Sequence, residues 1–347
     1  MNILQSAYSK IAVVILNWNG KNFLEIFLPK LIEFSNYEDV KIYIADNGST
    51  DSSIPFIQDN YPKIGLIQFS QNYGFTGGYN KALEQIQAKY YIILNSDVEV
   101  TENWIHPIIE FMDKNEDVAA CQPKIKSFAN KEFFEYAGAA GGFIDKYGFP
   151  FCRGRILDIH EQDKGQYDNL SEIFWATGAC MFVRADLFHL VGGFDEDFFA
   201  HMEEIDLCWR FKNNGFKIYF VPTSIVFHVG GGTLPNDNPK KLYLNYRNNL
   251  CLLYKNMALQ QLYIRIFERL ILDGISALIY LGRLKFDLFW VVIKAHLAFH
   301  RLIPKMHRKR QKKLLKLKQI NEIYPRSIVY DRFIKKRHYF SDLNFHG

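Results

Sequence analysis

Glu203, Glu204 and Asp206 set three carboxylates within four positions, in Phe198-Phe199-Ala200-His201-Met202-Glu203-Glu204-Ile205-Asp206-Leu207-Cys208-Trp209-Arg210. Like charges this close repel, and a fold tolerates them mainly where a cation or a proton-transfer task rewards the arrangement. The cluster is therefore a candidate general base with its supports. The plain alternative is a solvated first helical turn stabilised by the helix dipole, and the aromatic and apolar residues on both sides argue against it. Asp97, in Asn95-Ser96-Asp97-Val98-Glu99, follows an apolar run and offers a carboxylate at a sheet rim. His228 ends the run Val226-Phe227-His228 beside Gly230-Gly231-Gly232-Thr233. It reads either as a hydrogen-bonded core histidine or, with Asp97, as a site for manganese or magnesium completed by diphosphate oxygens and water.

Such residues need a frame to bring them together. From residue 11 to about residue 100, apolar runs at 11–16, 40–45, 64–69 and 90–94 alternate with helical patterns at 21–34, 52–60 and 76–88. That alternation predicts right-handed βαβ units and a parallel sheet covered on both faces. Ligands of such sheets bind beyond the carboxyl ends of the strands. The residues there are polar after every run: Asn17-Trp18-Asn19-Gly20, Asp46-Asn47-Gly48-Ser49-Thr50-Asp51, Ser70-Gln71-Asn72-Tyr73-Gly74 and Asn95-Ser96-Asp97. Each alone is compatible with an ordinary turn; four at one sheet edge make a ligand crevice. Gly77-Gly78, ahead of Asn80, suits either phosphate approach or close packing. Residues 125–172, rich in glycine and aromatics without a clear period, read as loops and short strands.

The ordered series, from the first strand through Ala45–Asp51, Asn72–Asn80, Leu94–Val98, Gly178-Ala179-Cys180-Met181, Gly192–Glu196, Glu203–Arg210 and His228, resembles the family-two inverting glycosyltransferases of the GT-A fold. The rhamnosyltransferase-like branch is the most similar, and the match runs from residue 11 to about residue 250. The resemblance implies an α/β fold with a Rossmann-like mixed sheet flanked by helices. It implies donor contacts from Asn17, Asn19, Asp46, Asn72, Gly74, Asn80, Asn95, Ser96 and Asp97. It also implies a divalent cation, Mn2+ or Mg2+, at Asp97 and His228, and acceptor contacts from Trp175, Thr177 and Gly178. Glu204 takes the place of the catalytic base, with Glu203 and Asp206 in support. The partners would be a dTDP- or UDP-linked sugar donor and a glycan or lipid-linked acceptor. Two departures stand out: Asn95 replaces the first aspartate of the DXD-type motif, and Glu203-Glu204 replaces a Glu-Asp pair. A nucleotidyltransferase would favour a Gly- and Lys/Arg-rich phosphate loop, which Asn17–Gly20 lacks; a sugar-nucleotide-binding scaffold is the non-enzymatic alternative that Asn95 suggests.

The chain has 347 residues, 48% hydrophobic and 23% charged, enough for a packed core and about two domains. Five separated cysteines exclude a disulfide framework or zinc ribbon and fit a reducing compartment. The apolar run at 11–16 is short for a secretion signal and is expected to be a strand. Residues 1–254 carry 22 Lys and Arg against 31 Asp and Glu, whereas residues 255–347 carry 20 against 6. This divides the chain into an acidic catalytic domain, 1–254, and a basic amphipathic helical extension, 255–347. Amphipathic helices are expected at 262–281 and 286–303, neither with the ~18 charge-free apolar residues of a membrane span. The basic run Lys305–Lys318 reads as a solvated helix or an anionic-lipid contact, worth ~1 kcal/mol per basic residue near the surface. Nucleic acid is not expected, since no recognition motif accompanies the charge. The predicted location is cytoplasmic, peripheral on the inner face of the cell membrane.

Overall fold

The first apolar runs become the parallel half of a central sheet in a computed structural model, which describes residues 9–230 and 238–345. Strands β1 (Ser9–Asn17), β2 (Val40–Asp46), β3 (Gly65–Gln68) and β4 (Ala88–Leu94) alternate with helices α1 (Lys21–Phe34), α2 (Ser53–Asn60) and α3 (Gly74–Leu83). They pair in parallel in the order β4-β1-β2-β3. Ile11, Val13 and Ile15 pack in one core layer with Leu24, Leu28 and Ile108, and Ala12 and Val14 in the other with Tyr79 and Leu83. A strand buried on both faces is an unbroken apolar run, which is why β1 and β4 were legible; β3, at the sheet edge, is only half-buried. The third helix starts earlier than residue 76 and ends before Ala88, which already belongs to β4. Its start is set by Asn72, whose Oδ1 accepts from the Gly74 N–H at 2.7 Å. Gly74 has φ +74°, a conformation glycine adopts without a Cβ penalty.

Beyond β4 the sheet becomes mixed. Strand β5 (Val98–Val100) and helix α4 (His106–Lys114) lead to β6 (Val118–Ser127). Residues 142–160 add four short strands, β7 (Gly142–Asp145), β8 (Pro150–Cys152), β9 (Arg155–Ile156) and β10 (Ile159–His160). The chain then returns to the main sheet with β11 (Ser171–Glu172), β12 (Cys180–Arg184), α5 (Ala185–Leu190), α6 (Glu203–Asn213) and β13 (Lys217–His228). The main order is β11-β13-β6-β12-β4-β1-β2-β3, with β12 antiparallel to both neighbours and β5 antiparallel to β13. Short strands were expected within residues 125–172 without positions, because two to four residues are too few for alternation to show.

Helices α7 (Pro239–Asn256), α8 (Leu259–Gly282) and α9 (Phe286–Arg308) follow, then β14 (Ile323–Tyr324) and α10 (Ile328–Phe333). The break expected after residue 254 falls in the last turn of α7. β14 pairs in parallel with β7 and completes a second sheet, β10-β9-β8-β7-β14. Phe299, Met306 and Tyr324 are buried in the same core as Tyr79 and Val183, so the basic segment is built onto the unit formed by the preceding residues. Part of the basic run is used for that docking. Lys309 pairs with Asp195 and, at 2.6 Å, with Asp197, Lys305 also pairs with Asp197, and Arg310 donates to the carbonyls of Tyr254 and Met257.

Helix α8 is turned against its own amphipathicity. Its polar residues Arg269 and Asp273 are buried and paired at 2.8 Å, with His296 of α9 at 3.3 Å from Asp273. Tyr263, Ile264, Phe267, Ile271, Ile275 and Leu278 face outward, 49–68% exposed. No helix among the described residues is long and apolar enough to cross a membrane.

Candidate active site

The parallel register places Asn17 opposite Asp46 at the carboxyl ends of β1 and β2, and both are fully buried. Asn17 Nδ2 donates to Asp46 Oδ1 at 2.9 Å, and the Ser49 N–H donates to Asp46 Oδ2 at 2.9 Å. Asn19, at φ +51°, fastens the two loops together: its Oδ1 accepts from the Thr50 N–H at 2.7 Å, and its own N–H donates to Ser49 Oγ at 2.9 Å. Asn47 does the same for the third loop, accepting from the Tyr73 N–H at 2.9 Å and donating to the Gly74 carbonyl at 3.0 Å and Asn72 Oδ1 at 3.1 Å. Asn47 was not singled out from sequence, since an Asn before Gly is an ordinary turn signal. The buried Asn17 Oδ1 accepts no hydrogen bond within the protein. Asn80 serves elsewhere: its amide brackets Phe194, donating to the carbonyl at 2.8 Å and accepting from the N–H at 2.9 Å. This fixes the Gly192-Gly193 turn to α3.

The pairing of β5 with β13, which sets His228 opposite Val98, brings Asp97 and His228 together. His228 Nε2 lies 3.2 Å from Asp97 Oδ1, and Nδ1 lies 3.1 Å from Glu135 Oε2 in an ion-pair contact. Burial opposes a charged imidazole, but the two carboxylates outweigh it and push His228 up to about 10. Asn95 Nδ2 is 3.5 Å from His228 Nε2, and the Val229 N–H donates to the Asp97 carbonyl. Ser96 sits where a Cβ on Gly20 would meet its hydroxyl at 3.5 Å, so the first and fourth loops adjoin. Glu135 lies in the irregular middle section, where no motif marked it. Gly231, Gly232 and Thr233 lie outside the described residues.

Glu203 and Glu204 open α6 directly after an unusual backbone turn: Phe199, His201 and Met202 all have φ between +65° and +70°. Left-handed conformations in non-glycine residues cost energy and persist where the surroundings hold them. Here Asn248 of α7, itself buried, donates from Nδ2 to the carbonyls of Phe198, Ala200 and His201 at 2.8–3.0 Å, and Arg247 donates to those of Asp197 and Phe198. Neither residue carries a sequence signal of this role. The two glutamates differ in access. Glu203 is 5% exposed, and burial and then the charge of Glu204 hold its carboxyl well above the usual carboxylate range. Glu204 is partly exposed, and burial pushes it up to about 7. The Oε2 atoms of both lack a hydrogen-bond partner in the protein. Asp206 is fully buried in a network with Arg210 at 2.8 Å, Lys255 at 2.9 Å and Asn256 at 2.7 Å; burial raises its pKa, but Arg210 and Lys255 outweigh that and keep it ionised. Its support for Glu204 is thus structural, through the helix that carries both.

Trp175, Thr177 and Gly178 are all buried. The Trp175 ring packs where a Cβ on Gly142 would come within 2.1 Å, and its Nε1 donates to the Phe143 carbonyl at 2.9 Å. Thr177 is bonded to Gln122 and Ala179, and Gly178 lies against the Phe75 ring. The stretch bridges the two reactive clusters: the Ala176 N–H points at Cys208 Sγ, one turn along α6 from Glu204, and the Ala179 carbonyl accepts from Asn95.

Asp97 and His228 are one hard carboxylate and one imidazole, a donor set that fits Mn2+ or Mg2+ when the cation takes the place of the imidazole proton and ligand oxygens complete the shell. Among the described residues no three ligating side chains converge on one point.

The family model for Glycosyl transferase family 2 matches residues 12–190. An N-acetylglucosaminyl-diphospho-decaprenol L-rhamnosyltransferase of Mycobacterium tuberculosis is 24% identical over 254 residues, covering 68% of this chain and 81% of that protein. Rhamnosyltransferase WbbL of Escherichia coli is 25% identical over 213 residues, 59% of this chain and 79% of its own. The crystal structure of S. aureus TarS 1-349 in complex with UDP-GlcNAc aligns with TM-score 0.56 and 14% identity over 87% of this chain and 84% of that one. That of GalNAc-T7 with UDP, GalNAc and Mn2+ aligns with TM-score 0.58 and 16% identity over 72% of this chain, which spans 48% of that chain.

Proposed function

The chain belongs to glycosyl transferase family 2 and is a glycosyltransferase of the GT-A fold, rhamnosyltransferase-like; on that premise we propose that it transfers a sugar, with inversion, from a nucleoside-diphosphate donor to a hydroxyl of a glycan or lipid-linked acceptor. The observation that carries this reading is the 3.2 Å contact of Asp97 with His228 at the carboxyl edge of the sheet. Asp97 and His228 would hold the divalent cation, which when bound acts as a Lewis acid toward the negative charge that builds on the leaving diphosphate. Asn17, Asp46 and the loops they join form the nucleotide side of the crevice.

Displacement at the anomeric carbon passes through an oxocarbenium-like state. The acceptor oxygen forms its bond to the anomeric carbon as the bond to the diphosphate oxygen breaks, and the hydroxyl proton passes to Glu204. A carboxyl near pKa 7 with partial access suits that transfer at neutral pH, a contribution of about 10²–10⁴-fold. Burial and the charge of Glu204 favour the neutral form of Glu203 beside it. A single displacement needs no covalent nucleophile.

The named rhamnosyl transfer of two relatives supports rhamnose, from dTDP-rhamnose, as the sugar, and UDP-linked donors are the other class to test. The diphospho-decaprenol acceptor of the mycobacterial relative supports a lipid-linked acceptor here. That acceptor and the outward apolar stripe of α8 support a peripheral place on the membrane, held by the segment after residue 255, and the cytoplasmic face is the side proposed.

The test is thermal unfolding of the full chain with dTDP-rhamnose or UDP-sugars, with and without Mn2+, alongside assay of nucleoside-diphosphate release. Ligands that bind the native state raise Tm by mass action. A Tm increase that needs both nucleotide sugar and Mn2+, together with diphosphate release, is expected; no shift and no release with any donor would overturn the reading.

A further inference from the structure

A cavity of about 570 Å³ lies between α8, the β7–β8 turn and residues 326–337, apart from every residue assigned to the reaction above. Its lining carries four cations, Lys146, Arg326, Lys335 and Arg337, and two carboxylates, Glu268 and Asp331. Both carboxylates are already neutralised: Arg337 lies 3.3 Å from Asp331, and Arg265 lies 2.6 Å from Glu268. Lys146, Arg326 and Lys335 have no carboxylate within ion-pair distance among the described residues. The cavity is thus a basin of uncompensated positive charge.

Its walls are tied together. Asp145 Oδ1 accepts from the Tyr147 N–H at 2.9 Å, and its Oδ2 accepts from the Ile328 N–H at 3.0 Å, fixing the turn to the start of α10. Arg269 of α8 donates to the Tyr147 carbonyl at 3.2 Å. A ligand would meet walls whose backbone is already fixed and would have to order only the side chains that reach it.

Ile271 belongs both to the cavity lining and to the outward stripe of α8, so the basic basin opens onto an apolar face. A surface helix in water turns its apolar stripe inward. Here Arg269 and Asp273 point in and the apolar stripe points out, and exposed apolar patches of this kind mark interaction sites. The ligand chemistry that matches both halves is an anion joined to a hydrocarbon chain.

We infer that this cavity binds the phosphate head group of an anionic membrane lipid, with the α8 stripe lying in the hydrocarbon layer beside it. The inference rests on the reading of the chain as an enzyme of membrane-bound acceptors and deepens it by naming the surface that meets the membrane. It also moves the lipid contact away from Lys305 and Lys309, which are committed to Asp195 and Asp197.

The test is flotation of the full chain with phosphatidylcholine vesicles, with and without phosphatidic acid. Arg326 and Lys335 are exposed, so R326A/K335A leaves the core intact. Unaltered protein should prefer the anionic vesicles. Loss of two surface cations should weaken binding to them about thirtyfold and leave binding to neutral vesicles as it was. F267S/L278S should weaken binding to both. Equal binding of R326A/K335A and unaltered protein to anionic vesicles would overturn the head-group site. So would a chain that ignores all vesicles and instead sediments as a dimer that F267S/L278S dissociates, since a second copy would then cover the stripe. Diphosphate release, assayed without vesicles on the same preparations, keeps the two readings apart: its absence counts against the transferase assignment and leaves the vesicle result standing.

Discussion

Asn248 holds the backbone of His201: its Nδ2 donates to the His201 carbonyl at 2.8 Å, two residues before the first of the paired glutamates. The same amide reaches the carbonyls of Phe198 and Ala200, so one side chain of α7 stabilises a turn with three non-glycine residues at positive φ. The direction in which α6 presents Glu204 depends on that turn. Helix α7 is therefore part of the machinery although it contributes no reacting group.

Asn248→Ala removes the side-chain donor from the part-buried Ala200 and His201 carbonyls, while the Phe198 carbonyl keeps Arg247 and the Ala200 N–H, at a cost of about 1–3 kcal/mol. The expected outcome is a lower urea midpoint and a fall in kcat larger than any change in nucleotide affinity. Asn248→Asp, which presents an anion to three carbonyls, should be worse on both counts. A variant with normal kcat would show that the turn needs no clamp.

The two glutamates should separate by substitution and by pH. Glu204→Gln removes the proton acceptor and should lower transfer by about 10²–10⁴-fold while donor binding persists. Burial and the charge of Glu204 favour the neutral form of Glu203, which glutamine imitates, so Glu203→Gln should retain most activity. A base works ionised, so the rate should rise with pH through about 7 and level off above it. For Glu203 the folded pKa lies above the unfolded value, so its favourable contribution is complete below about 4.5 and is lost as pH rises through the folded pKa. Glu203→Gln should accordingly be more stable than the unaltered chain at alkaline pH, as urea unfolding would read.

Lys255 stands between two buried carboxylates, 2.7 Å from Asp195 and 2.9 Å from Asp206. Lys255→Met removes the cation that Asp195 and Asp206 share, leaving Lys309 on the first and Arg210 on the second, and should cost about 1.5–3 kcal/mol at neutral pH. Asp206 has its pKa held below 3.8, so its pairing stabilises the fold above that pH and ceases to do so as pH falls through the folded value. The gap between variant and unaltered protein should narrow on acidification, which chemical denaturation at a series of pH values would show.

Asp97→Asn and His228→Ala each remove one side of the 3.2 Å contact. Each should abolish the Mn2+-dependent part of the Tm increase seen with nucleotide sugar, and with it most transfer. Retention of the full Mn2+ response in both variants would place the cation elsewhere.

What could be read along the chain was whatever depends on neighbours in sequence. The central parallel strands β1 and β4 showed as apolar runs because both faces are buried, α1 showed at its full length of residues 21–34, and the polar ends of the strands announced a crevice. The acidic and imidazole residues were visible by type and order. Their partners were not. Glu135 on His228, Asn47 on Asn72, Asn248 on His201 and Lys255 on Asp206 join residues distant in the chain, and each partner is chosen by strand register or helix packing. The same holds for Asn80, a crevice residue by position that the fold spends on Phe194, and for α8, whose amphipathic period was plain while the face it would turn outward was not. Periodicity records that a helix has two unlike sides; which side meets the protein is settled by the buried partners waiting there, in this case Asn249, Tyr147 and His296 around Arg269 and Asp273.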